Sequence, residues 1–176
     1  HVCCYVVLPL LAIRYLLKDS LRDYHLGWGL TRKHYLSYLL LLTPILLFIV
    51  LVTVFRDDFA EHYPFYSLAG RSAMDFLLWE SAYIVQFIAL EFFFRGFILG
   101  ACKKRMGSQA VYVMMLPYMM IHLPKLWLEA SGAILFGLFL GLLALRSRSI
   151  WGGVCVHVVI ALSMDVAALI KKGEFF

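Results

Sequence analysis

HYLSYLLLLTPILLFIVLVTVF, residues 34–55, runs for 22 residues without an Asp, Glu, Lys or Arg. A helix needs about 20 apolar residues to cross the hydrocarbon core of a bilayer, so this stretch is long enough to span it. It is not isolated. The chain has 176 residues, 63% of them hydrophobic and only 15% charged, with a mean hydropathy of +0.85. A soluble domain runs roughly 45–50% apolar and about 25% charged. A folded chain this small still exposes roughly a third of the surface it had when unfolded, so the apolar excess has nowhere to hide from water. That excludes an ordinary soluble domain, and equally a disordered or collagen-like chain. The expected fold is all-α, a polytopic membrane helix bundle with about six membrane-embedded helices.

Outward from residues 34–55, charged clusters punctuate further apolar runs. Residues 2–17 carry Pro9 and Arg14 and read as a short span or an interfacial helix. Residues 72–102 form an apolar helix containing Asp75, Glu80, Glu91 and Arg95. Three more runs follow: 109–122 ending before Leu123-Pro124, then 130–145, then 150–170 with Asp165 inside it. The loops 18–33, 102–108 and 146–149 hold nine basic residues. The opposite side holds Arg56, Arg71, Lys125, Lys171 and Lys172, diluted by Asp57, Asp58, Glu61 and Glu129. The positive-inside bias places the Lys103-Lys104-Arg105 loop in the cytoplasm and both termini outside, although Lys171-Lys172 pulls the other way. The net charge of +5 is thus expected to mark orientation, and no nucleic-acid partner is expected.

Cys3, Cys4, Cys102 and Cys155 lack metal-type spacing and are expected to be buried small hydrophobes. Gly96 and Gly100, and Ala133, Gly137 and Gly141, recur at four-residue steps, which lets helix backbones approach closely in lipid. Trp28, Trp79, Trp127 and Trp151 suit interface anchoring where they border a basic loop. No signal peptide stands out, and a chain opening at His1 is expected to have its native beginning upstream.

An ionisable group at the centre of a membrane helix costs about 2.5–3.5 kcal/mol on insertion scales, so each one reads first as functional. Five stand out: Glu91, Arg95, His122, His157 and Asp165. Glu91 and Arg95 are four apart on one helix face and can pair. Glu91 and two His on three helices can polarise a water, or hold a Zn²⁺ that lowers the pKa of its water. Either arrangement suits hydrolysis of a carbonyl compound such as a peptide bond. Lys125 and Glu129 read as an exposed ion pair, and Phe92-Phe93-Phe94 as packing.

These residues meet a family. Ala89-Leu90-Glu91-Phe92-Phe93-Phe94-Arg95-Gly96 resembles the E-E-x-x-x-R motif of the CPBP intramembrane proteases, which include the type II CAAX prenyl endopeptidases and bacteriocin-processing relatives. Tyr118-Met-Met-Ile-His122 is similar to the second motif, F-x-x-x-H. Phe136-Gly137-x-x-x-Gly141 and Arg146-Ser-Arg-Ser-Ile-Trp151 resemble the Gly-rich helix and basic turn that precede the last motif, H-x-x-x-N/D, where His157 falls. The resemblance covers residues 80–165. It implies an intramembrane endopeptidase in which Glu91 activates water, His122 holds or shares that water, His157 steadies the oxyanion and Arg95 orients Glu91. Residues 72–170 would then be the catalytic bundle and 1–71 N-terminal membrane helices and loops, in one membrane-embedded domain.

Two departures matter. Leu90 stands where the family has its first Glu, and Ala161 where it has Asn or Asp. Asp165, two helical turns beyond His157, is expected to supply the lost polar group. Glu80 lies near the face of Glu91 but about 16 Å away along the helix axis. The missing pair leaves a rival reading, an inactive CPBP-like scaffold or immunity protein. No cofactor is expected, since glutamate-type hydrolysis needs none; the metalloprotease-like alternative is Zn on Glu91, His122 and His157. The expected partners are membrane lipid and a protein or peptide substrate, lipidated or not. The expected location is the bacterial inner membrane.

Overall fold

The computed structural model describes residues 2–174, and no strand occurs among them. The fold is the expected all-α one. Helix α1 (Cys3–Leu17) is short and apolar and stops at Lys18, whose φ of 53° is left-handed. Helix α2 (Tyr35–Phe55) is the uncharged stretch, with Pro44 inside it. The short α3 (Asp57–His62) opens on two carboxylates, which favours its N-terminal dipole. Helix α4 (Ala73–Glu91) begins where the Ser72 hydroxyl accepts the Asp75 N–H at 3.2 Å. It continues through a π-helical segment (Phe92–Ile98) into α5 (Leu99–Met106). There follow α6 (Ala110–Met120), α7 (Trp127–Ser147) and α8 (Trp151–Lys172).

Four stretches are long and apolar enough to cross a membrane: Thr31–Phe55, Ala73–Met120, Trp127–Ser147 and Trp151–Lys172. The second is 48 residues long. Gly107, at a φ of 56°, reverses the chain within it, so that α6 packs back on α5 and the π segment. Counted with α1, the apolar helical segments fall where the sequence puts them.

The chain forms two compact units. The first combines residues up to Tyr38 with Ile88–Val154. Its core joins Leu90, Phe94, Leu99, Ala110, Val111, Met114, Tyr118, Ala133 and Ala144. The small-residue steps have the expected use. A Cβ on Gly137 would lie 2.8 Å from the Tyr118 ring, and one on Gly141 would lie 2.7 Å from Met114 Cε. The loop between α1 and α2 docks across the ends of the other helices. The Leu30 N–H donates to the Ser147 carbonyl at 2.6 Å, the Trp151 indole to the Leu26 carbonyl at 2.8 Å, and Lys104 pairs with Asp19 at 2.6 Å. The three basic loops therefore gather at one end of this unit.

The second unit combines Leu39–Phe87 with the chain from Cys155 onward. Tyr83, Phe87 and Ala161 are buried together, with Trp79 and Val158 against them. Lys171 ties α8 to Asp57 at 2.8 Å and to the Arg56 carbonyl at 3.0 Å.

Three expectations need correction. Cys3, Cys4 and Cys155 are exposed and Cys102 is half-buried. On a face that meets lipid a thiol behaves as a small hydrophobe and loses nothing by exposure. Trp28 and Trp127 are exposed as anchors should be, but Trp79 and Trp151 are half-buried with their indole N–H groups bonded inside the protein. The Lys125–Glu129 pair forms, half-buried rather than exposed.

Candidate active site

Phe92 to Ile98 wind as a π-helix, one residue wider per turn than the α-helix on either side. Such bulges are frequent at functional sites because they free backbone groups and re-aim side chains. The segment follows directly after Glu91 and contains Arg95. Arg95 Nη1 meets Glu91 Oε1 at 3.0 Å, and both side chains are 0% exposed. Isolated, either charge would be prohibitive at that depth; together they are tolerable.

Two neighbours in the first unit lie against the pair. The Arg95 guanidinium lies over the Tyr118 ring, 4.0 Å from its centroid. A guanidinium on an aromatic face gains from the ring quadrupole, and more so when dry. On the other side, Gly153 at the start of α8 presses against the Glu91 carboxylate. A Cβ there would lie 2.9 Å from the carboxyl carbon. Only a glycine lets this helix come so close.

His122 follows from Tyr118. Its ring sits 4.6 Å from the Tyr118 ring, and Nδ1 is 2.8 Å from the Tyr118 carbonyl oxygen. A carbonyl only accepts, so Nδ1 carries a proton, and in the neutral ring Nε2 keeps its lone pair. That tautomer suits a base or a ligand. Glu91, Arg95, Tyr118 and His122 are thus linked contact by contact.

His157 belongs to the second unit, where it is buried and stacks on Phe87 at 5.3 Å with the rings 9° from parallel. Asp165 is fully buried there. Its Oδ2 accepts the Trp79 indole N–H at 2.7 Å, and Glu80 is its electrostatic neighbour. Ala161 packs in the aromatic cluster of Tyr83 and Phe87. Leu90, at the family's first Glu position, is 7% exposed and sits in the apolar core beside Phe94 and Ala133. Among the described residues, no three His, Cys, Asp or Glu side chains gather as a metal site needs.

The chain matches the type II CAAX prenyl endopeptidase Rce1-like family over residues 72–163, just over half its length. It belongs to that family. The match runs from the start of α4 into α8 and takes in Glu91, Arg95, Tyr118, His122 and His157. The chain is thus an integral membrane protein of a protease family. No curated protein and no solved structure matches it.

Reasoning from sequence did not single out Tyr118 as the cover of Arg95, Gly153 as the neighbour of Glu91, or His25, described below. The paired glycines at 152–153 are the trace that Gly153 leaves in the sequence. His25 leaves none, because the contact spans 70 residues.

Proposed function

We propose that the protein is an intramembrane endopeptidase of the CPBP type that hydrolyses a peptide bond near the membrane surface. The observation that carries this reading is the buried Glu91–Arg95 pair on a π-turn, joined through Tyr118 to His122. Glu91 takes a proton from water as the water oxygen bonds to the scissile carbonyl carbon. The tetrahedral oxyanion then collapses, the C–N bond breaks, and the proton passes to the leaving amine. Arg95 holds the carboxylate in place. His122 Nε2 receives or holds the water, and His157 supports the oxyanion. Asp165 is assigned to keeping α8 in place through Trp79. The role of His157 rests on its order along the chain, and that of Asp165 on its bond to the Trp79 indole.

A Zn²⁺ would compete with the guanidinium already paired to Glu91, so this donor set suits a metal poorly. We place catalysis in residues 72–170, with 1–71 as accessory helices. The substrate class is a peptide or protein, prenylated peptides being the first to try, in a bacterial inner membrane.

Glu91→Gln keeps the shape and removes the titratable carboxylate. It also strands the Arg95 charge, and breaking a buried pair costs about 3–5 kcal/mol. The E91Q/R95Q double variant therefore serves as the fold control. In proteoliposomes with a farnesylated peptide, both variants should lose hydrolysis, while the double variant keeps a native-like thermal midpoint. Undiminished cleavage by E91Q removes Glu91 as the base.

A further inference from the structure

We propose that His25, in the loop between α1 and α2, is a positioning residue for the Glu91–Arg95 pair, fixing the register of the π-turn on which they sit. The inference rests on the peptidase reading for its activity arm only.

The backbone accounting points to it. In an α-helix the Leu99 N–H would bond the Arg95 carbonyl, four residues back. Here the Leu99 N–H bonds the Phe94 and Gly96 carbonyls instead and skips Arg95. A buried carbonyl left without a donor costs free energy comparable to a lost hydrogen bond. His25 supplies the donor: its Nδ1 lies 3.1 Å from the Arg95 oxygen. Since a carbonyl cannot donate, the proton is on Nδ1.

His25 is built into this place. It is 4% exposed. Its backbone is left-handed, with φ of 59°. The preceding Tyr24 lies along Gly96 and Gly100, where a Cβ would come within 3.1 Å of the Tyr24 carbonyl and 2.9 Å of its ring. The His25 carbonyl accepts the Ile150 N–H at 3.0 Å, next to the helix that brings Gly153 against Glu91. One residue therefore touches the turn that carries Arg95 and the entry to the helix that walls Glu91. Losing its donor lets the ladder slip back toward the α register, which rotates Arg95 relative to Glu91.

Asn and Gln separate the hypothesis from mere packing. The Asn amide nitrogen overlays His Nδ1, and Asn tolerates positive φ. The Gln amide overlays Nε2 and cannot reach the carbonyl in the same way. His25→Phe removes the donor altogether. With a farnesylated peptide, H25Q and H25F should lower kcat by about 10²-fold while KM stays within about twofold, the size expected of a misplaced reacting group. Hydrogen exchange at the amides of residues 96–100 should quicken in both, with α7 unchanged. H25N should restore both readouts. If H25F does not fold, H25Q carries the comparison. The proposal is overturned if H25Q exchanges like the natural chain, or if H25N falls as far as H25Q. A natural chain that cleaves nothing would sink the peptidase reading and leave the exchange pattern to decide the role of His25.

Discussion

Glu91 and Leu90 are adjacent in the chain and opposite in circumstance. Glu91 faces a guanidinium, and Leu90 belongs to the apolar core with Phe94 and Ala133. A carboxylate at position 90 would enter that core without a partner, at a cost of about 2.5–3.5 kcal/mol on insertion scales. Leu90→Glu is therefore expected to lower the thermal midpoint and add no hydrolysis. A decayed protease would behave otherwise, gaining activity only in the L90E/A161N double variant. His25 carries a pH prediction. Burial holds its imidazole below the usual range, the bond to the Arg95 carbonyl opposes this, and the positive Lys103 and Arg148 add to the lowering. Unfolded, it would titrate near about 6.5. Between the folded and unfolded values only the unfolded chain binds the proton, so stability falls as pH drops below the unfolded value and levels off below the folded one. The thermal midpoint should fall between pH 7 and pH 5, and H25N should flatten that slope.

At the scale of elements, the site depends on two close approaches made by small residues. Gly153 gives α8 its contact with Glu91, and Gly137 gives α7 its contact with Tyr118. Gly153→Ala forces the carboxylate or the helix to move, and a displacement near 1 Å can cost about 10²-fold in rate. The expected result is a large loss of kcat with helical content unchanged by circular dichroism. The helices themselves were legible in the sequence because apolar runs and charged breaks carry that information locally. Glu91 and Arg95 were legible because a charge in an oily helix is conspicuous, and His122 because it follows Tyr118 at the spacing of the family's second motif. The π-turn was not: Phe92 to Ile98 reads as any apolar helix, and its register is set by Tyr24 and His25, far away in the chain. The expected burial of the cysteines failed for a related reason, since burial rules learned in water do not separate an interior from a lipid face.

At the scale of the whole molecule, the loop charges predict an orientation that labelling can test. Asp19, held below the usual carboxylate range chiefly by its bonds to Lys104 and Tyr24, stitches one basic loop to another. With the native cysteines replaced, a Cys at Gly27 or Ser108 should react with an impermeant maleimide only from the cytoplasmic side, and one at Ser67 only from the other. The reverse pattern would overturn the assignment. Helix α2 has a different consequence. Only Tyr38 and Ile49 of its 21 residues are buried. Nothing but greasiness is asked of most of its side chains. Over generations this helix should drift almost freely among Leu, Ile, Val and Phe, a neutral clock running beside glycines that selection cannot let change.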